Sequence, residues 1–198
     1  MGRFLYLLNT VGTPKFIADP PRGHTITVVD QYEFERSDLD GVDGLLLSQH
    51  LDETHLGELR VTLAAFLDDG GTVSLNGPIS KPFLDPPGAY HGLPTQAARD
   101  WLIEMDTLHP ITRGVRAEDL SMRMGVIGFW ARGYFEAPSN AVVLTRFAVS
   151  GKPADWVWRS PGGGALLVHP GNDIWGYAGD DTTARPFFAQ FLDWAGAR

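Results

Sequence analysis

Gly70-Gly71-Thr72-Val73-Ser74-Leu75-Asn76-Gly77-Pro78 is the stretch on which the reading of the fold turns. It holds a double-glycine turn, one short apolar strand and a sharp exit. An amphipathic segment leads into it: Asp52 stands where an N-cap belongs, and Leu56, Leu59, Leu63, Phe66 and Leu67 recur at three- and four-residue steps. That spacing predicts a helix lying on a sheet and ending at Asp69-Gly70-Gly71, with glycine in the left-handed C-cap conformation. Helix, glycine turn and strand together are one unit of an open α/β sheet. The strand's carboxyl end, near Asn76, is where ligands and nucleophiles sit in such sheets.

The same alternation extends towards the amino end. Arg3–Asn9 is nearly continuously apolar and predicts a strand buried on both faces, as in a parallel sheet. Residues 10–23 carry Gly12, Pro14, Pro20, Pro21 and Gly23 and read as loop. Thr25–Asp30 is β-branched and predicts a second strand, residues 31–41 a polar surface connection, and Gly44–Ser48 a third strand. Strand and helix alternate here as in a doubly wound sheet with helices on both faces.

Beyond Pro78 the pattern loosens. Eight prolines and glycines in residues 77–95, among them Pro82, Pro86 and Pro87, exclude regular structure and predict a lid or binding loop. Gln96–Met105 predicts a short helix carrying Trp101, and Leu108–Val115 a turn around His109-Pro110. Met124–Trp130 and Val142–Phe147 predict strands. Asp155–Arg159 predicts an edge strand or hairpin leading through Pro161-Gly162-Gly163-Gly164 into Ala165–His169, the last core strand. Thr182 or Thr183 would cap a final helix with Phe187, Phe188, Phe191, Leu192 and Ala195 on its apolar face.

Composition narrows the possibilities. A chain of 198 residues, 43% hydrophobic, suffices for one sizeable core, so a single domain over 1–198 is expected. A net charge of −8 without a Lys/Arg cluster argues against nucleic-acid binding. No apolar run is long enough to span a bilayer, so no membrane partner is expected. The apolar Phe4–Leu8 run is too brief for a signal segment. The absence of cysteine rules out disulfides and thiolate metal sites and fits a cytoplasmic protein. No cofactor is expected. Six tryptophans leave open an interface with a second copy or another protein.

Taken in order, Asp43-Gly44-Leu45-Leu46-Leu47, Phe66-Leu67-Asp68-Asp69-Gly70-Gly71, the Pro-rich loop, His109-Pro110-Ile111-Thr112-Arg113-Gly114 and Gly163-Gly164-Ala165-Leu166-Leu167-Val168-His169-Pro170-Gly171 form a recognisable series. It resembles the class I glutamine amidotransferase-like superfamily, and its trehalose-utilisation (ThuA-like) branch most. The resemblance implies a flavodoxin-like three-layer sandwich with a mostly parallel central sheet. Enzymes of that superfamily carry a cysteine at the elbow after the fourth strand and a His-Pro-Glu after a late strand. Here the elbow falls near Asn76, cysteine is absent, and the late motif reads His169-Pro170-Gly171. A triad needs a nucleophile, a base and a group that orients the base. Two of the three are missing, so no glutaminase activity is expected. The ThuA-like branch tends to carry a histidine near the elbow, and Asn76 departs from that too.

The candidate site follows from this edge. Asn76 either holds a ligand through its amide or tolerates a left-handed turn before Gly77. His169 is either a base at the sheet's carboxyl edge or a satisfied structural histidine. Asp173, four residues on, could replace the lost acid by accepting the ring N–H. Trp175 and Tyr177 offer faces for a sugar or base, or else lid the core. Catalysis, if present, would fall to His169 and Asp173, and ligand binding to Asn76, Gly77, His169, Asp173, Trp175 and Tyr177. The ligand expected is a small polar molecule such as a carbohydrate or related metabolite. The alternative is an interaction or structural module that kept the fold and lost the triad. His50, Asp52, Glu53 and His55 form the one cluster resembling metal ligands, but capping and the helix dipole account for Asp52 and Glu53. Ser74, in mid-strand, is expected to be buried, and Arg132, Tyr134 and Glu136 to share a face.

Overall fold

Five apolar segments become parallel neighbours in the structure, a computed structural model that describes residues 1–9, 14–94 and 97–197. They are β1 (Arg3–Leu8), β2 (Thr25–Asp30), β3 (Gly44–Leu47), β4 (Thr72–Asn76) and, after a long excursion, β7 (Ala165–His169). Two antiparallel strands, β6 (Trp156–Arg159) and β5 (Val142–Val143), extend the sheet beyond β7. The order across the sheet is β5-β6-β7-β4-β3-β1-β2. Every residue of β3, β4 and β7 is buried, as central parallel strands covered on both faces require. β2, at the edge, is only half-buried.

The two-residue period divides the core. Leu5, Leu7, Leu45, Leu47, Val73, Leu75, Leu166 and Val168 point to one face. There they meet Leu56, Leu63, Phe66 and Leu67 from α2 (Glu53–Glu58) and α3 (Arg60–Asp68). Phe4, Tyr6, Leu46 and Leu167 point the other way, to Phe187, Phe188, Phe191 and Leu192 of α5 (Phe187–Ala195), the helix that follows the short α4 (Ala117–Ser121). Each such fully buried side chain contributes roughly 1.5–3 kcal/mol relative to exposure. Helices therefore cover both faces. Among the described residues, the β1–β2 crossover adds only a four-residue helix, α1 (Lys15–Ala18), and a turn at Pro21–Gly23.

Several expected elements take another form. The long amphipathic helix breaks at Leu59 (φ −88°, ψ 2°), whose N–H bonds to Leu56 at 3.1 Å in a tightened turn just after Gly57, a poor helix former. Asp52 does cap it, accepting from the N–H groups of Thr54 and His55 at 2.9 and 3.2 Å. Of the expected Gln96–Met105 helix, Thr95 and Gln96 lie outside the described residues. The remainder is a tight turn at Ala98–Trp101 and a strand at Ile103–Met105 that pairs with Thr145–Phe147. Val142–Phe147 divides at Leu144, because the N–H groups of Leu144 and Thr145 both reach the carbonyl of Asp155 at 2.8 and 3.2 Å and the chain passes from one sheet to another. Within Met124–Trp130 only Val126–Ile127 is a strand, paired with Met122–Arg123. The last helix starts at Phe187, since Pro186 disfavours helical backbone at Arg185; Thr183 instead bonds Asp119. Residues 10–13 of the expected 10–23 loop lie outside the described residues. The described 77–94 part of the expected loop is irregular apart from a His91–Gly92 pairing with Gly133–Tyr134.

Candidate functional site

The site begins where β4 and β7 end together. Their register places His169 beside Asn76, and the Gly77 N–H donates to the His169 carbonyl at 2.9 Å. Asn76 has no exposed surface. Its amide donates to the Leu47 carbonyl at 2.9 Å and to Ser74 Oγ at 3.2 Å, while its oxygen accepts from Ile174 N–H at 3.2 Å. The side chain thus binds β3, β4 and the loop after β7 together, and every one of these polar groups is used internally. Ser74 is buried, as expected of a mid-strand serine. The left-handed residue at the elbow is Gly77 itself, at φ 97°, and a Cβ there would lie 2.4 Å from that of Gln49.

His169 is wholly enclosed. Its Nδ1 lies 2.6 Å from Asp155 Oδ1, and its Nε2 lies 2.8 Å from the Asn172 carbonyl. Its carboxylate partner is therefore Asp155, and not Asp173. Asp155 also has no exposed surface, and its second oxygen accepts from the Trp130 indole at 2.7 Å and from the Thr145 hydroxyl. The Trp130 ring stands edge-on to the imidazole at 4.6 Å. A buried carboxylate survives only with its lone pairs engaged, and here three donors meet it. Sequence reasoning missed Asp155. The signal was present: Trp156 pairs with Val168 in an antiparallel ladder, so the residue before Trp156 comes opposite the residue after Val168.

Asp173 serves another junction. Its carboxylate accepts from the Ser48 hydroxyl at 2.7 Å and from the Gln49 backbone N–H at 2.8 Å. Burial raises its pKa above the ordinary carboxylate value, although these two donors pull it back in part. Asn9, just after β1, donates to the carbonyl of His50, just after β3, at 2.9 Å, and so ties the ends of β1 and β3 together. That is where the strand order reverses and where open α/β sheets receive ligands. Trp175 and Tyr177 turn to the α5 side. Trp175 packs on Tyr6, Phe16 and Phe188, and Tyr177 lies edge-on to Trp130 at 4.9 Å.

The open space lies above the β4–β7 junction. A crevice of about 320 Å³ is lined by Gln49, Pro78, Tyr90, Phe129, Arg132 and the Pro170-Gly171-Asn172 turn. Asn76, His169 and Asp173 form no part of its wall; they hold the loops that do. His169 fixes the Asn172 carbonyl and Asp173 fixes the Gln49 N–H. Gly171 is required, because a Cβ would fall 1.5 Å from the Trp130 carbonyl oxygen. Arg132 is exposed and lies over the Trp101 ring, 4.8 Å from its centroid, with Nε donating to Gly128. Of the triplet Arg132, Tyr134 and Glu136, only Arg132 reaches this crevice: Tyr134 stacks on His91 and Glu136 pairs with Lys152. Its wall therefore offers one cation, two side-chain amides and two aromatic rings.

The residues considered for metal binding have separate tasks. Asp52 caps α2, Glu53 accepts from Ser80 and Lys81 backbone N–H groups, and His55 Nε2 lies 2.8 Å from the Gln31 carbonyl. His109 forms the rigid turn expected of it, its Nδ1 accepting from Ile111 N–H at 3.3 Å.

This fold and its edge site define an α/β domain with a mostly parallel seven-stranded sheet. No protein-family model matches the chain, and no curated protein matches its sequence. In fold it is similar to the mmIFT52 N-terminal domain, with a TM-score of 0.64 at 13% identity over 98% of this chain and 97% of that one. It is similar also to a protein from Bacteroides uniformis provisionally described as ThuA-like, with a TM-score of 0.58 at 12% identity over 98% and 90% of the two chains. Identities this low speak to fold alone.

Proposed function

We propose that this chain is a ThuA-like member of the glutamine amidotransferase-like superfamily that binds a small polar ligand, a carbohydrate or related metabolite, and does not hydrolyse glutamine. The observation that carries this reading is the crevice over the ends of β4 and β7, where Gln49, Arg132 and Asn172 stand beside Tyr90 and Phe129. Amides and a guanidinium suit hydroxyl and carbonyl groups, and aromatic faces suit a sugar ring. The order of the five parallel strands, β2-β1-β3-β4-β7, supports a flavodoxin-like sandwich. The fold likeness to the ThuA-like protein supports the branch. Against glutamine hydrolysis stand the missing thiol and the enclosure of His169, both of whose ring nitrogens are engaged. In this reading His169 and Asp173 are positioning residues, Asn76 and Gly77 shape the elbow, and Trp175 and Tyr177 back the loop from the core side. Cytoplasmic residence belongs to the same reading, supported by the cysteine-free sequence. Among the described residues no helix is long and apolar enough to cross a membrane.

The test is a ligand-observed NMR screen against mixed monosaccharides, disaccharides and sugar acids, repeated with Arg132→Ala and Asn172→Ala. A binder weakened by both substitutions supports the reading. A binder indifferent to both places the site elsewhere.

The second reading, an interaction module, draws on one observation. Met122, Met124 and Val126 project from an exposed hairpin beside an apolar groove lined by Leu102, Ile103 and Ala148. The tryptophans do not favour it, since none of the six is exposed.

A further inference from the structure

A cleft larger than the crevice at the sheet edge opens elsewhere on this molecule. It has a volume of about 850 Å³ and lies between the 14–22 part of the β1–β2 crossover, the 175–179 turn and the start of α5. Its origin is topological. A doubly wound sheet ordinarily covers this face with a full crossover helix. Among the described residues this crossover supplies only the four-residue α1, and the cleft beside α5 is lined by the half-buried Phe16 ring, with Trp175 and Phe188 packed beneath it. Phe16 and Trp175 lie 5.3 Å apart with planes tilted by 37°, and Phe16 meets Phe188 edge-on at 5.1 Å.

Three cations line the cleft. The chain carries a net −8, yet Lys15, Arg22 and Arg185 all line this one cleft. Arg22 is neutralised by Asp193. Lys15 and Arg185 are exposed and make no ion pair or side-chain hydrogen bond among the described residues. Among the described residues of the wall, Asp19 is the one acid. Two free cations beside the half-buried Phe16 ring, in a space of the size that holds small ligands, select for negative charge joined to a flat ring.

We infer that this cleft is a second binding site, for a small organic anion that carries an aromatic ring, the class to which a mononucleotide belongs. The anion meets Lys15 and Arg185, and the ring lies against Phe16 and Trp175. This site shares no wall residue with the crevice at the sheet edge, so it stands or falls independently of the function proposed above.

Isothermal titration of the whole chain with AMP, adenosine and inorganic phosphate tests it. AMP should bind, and each of its two parts should bind about tenfold or more weakly. Lys15→Ala and Arg185→Ala should each weaken AMP by about tenfold, Asp19→Asn should strengthen it, and Arg113→Ala, an exposed cation outside the cleft, should leave it unchanged. The Trp175 indole N–H resonance should shift on adding AMP, a readout that needs no variant. No AMP binding at millimolar concentration, adenosine or phosphate binding as tightly as AMP, indifference to both cation removals, or an unmoved Trp175 resonance would overturn the inference.

Discussion

Asp155 Oδ1 and His169 Nδ1 lie 2.6 Å apart, and neither residue has any surface in contact with solvent. The pair stands side by side on β7 and the start of β6, under the crevice rather than in it. Its far ends reach Trp130 and Thr145 on one side and the Asn172 carbonyl on the other. It is a polar rivet through an apolar layer.

Removing one half of such a pair leaves the other buried without a partner, which costs about 3–5 kcal/mol. Asp155→Ala should fall in that range, because Trp130, Thr145 and His169 all lose their acceptor. Urea unfolding measures it. A loss below about 1 kcal/mol would show that the pair contributes nothing to the fold.

Acid should weaken the protein through His109. Burial, and then the nearby positive charge of Arg159, lower its pKa below the ordinary value of 6.5. The unfolded chain therefore takes up a proton before the folded one does. Stability from this group is complete above about pH 6.5 and is lost as pH falls towards the lowered folded-state value. His109→Asn keeps an acceptor for the Ile111 N–H and should flatten that part of a melting-temperature profile between pH 7.5 and 5. An unchanged slope would assign the acid sensitivity to other groups.

Asp173 has the opposite sign. Its pKa is raised by burial, so the stability it contributes is complete below the ordinary carboxylate value and declines as pH rises through the raised one. Asp173→Asn removes this titration while retaining one acceptor for Ser48 or Gln49. Relative to the unsubstituted protein, the variant should gain ground as pH goes from 3.5 to 7. A difference in melting temperature that is constant over that range would contradict the assignment.

Gly171→Ala tests the turn directly. Its Cβ would meet the Trp130 carbonyl oxygen at 1.5 Å, so the 170–172 backbone has to move. The variant should fold less stably and should lose any ligand that the crevice binds. Normal binding with an unchanged melting temperature would show that the turn is free to shift.

The strands were legible because their residues leave little choice. Leu5, Leu45, Val73 and Leu166 belong to short apolar runs bounded by turn residues, and each run ends within one residue of the expected place. Gly57 was as visible as any of them, yet the stripe of leucines around it concealed the break at Leu59. The Ile103–Met105 strand was hidden because its partner, Thr145–Phe147, lies some forty residues away and only pairing makes it extended. At the site, Asn76 and His169 were brought together as their places on adjacent strand ends suggested. The carboxylate was misassigned because nearness in sequence favoured Asp173, whereas the antiparallel ladder brings Asp155 across. Gln49, Tyr90 and Phe129 carry no motif, and only the folded loops bring them to one wall.

The turn after β7 is anchored at both ends, by His169 on the Asn172 carbonyl and by Asp173 on Ser48 and Gln49. Its freedom is therefore surrendered when the chain folds, and an arriving molecule finds this wall already set. Such a surface loses little entropy on association and cannot reshape itself around a poor fit. For the polar ligand proposed above, discrimination would then fall on shape, leaving little tolerance for bulkier relatives.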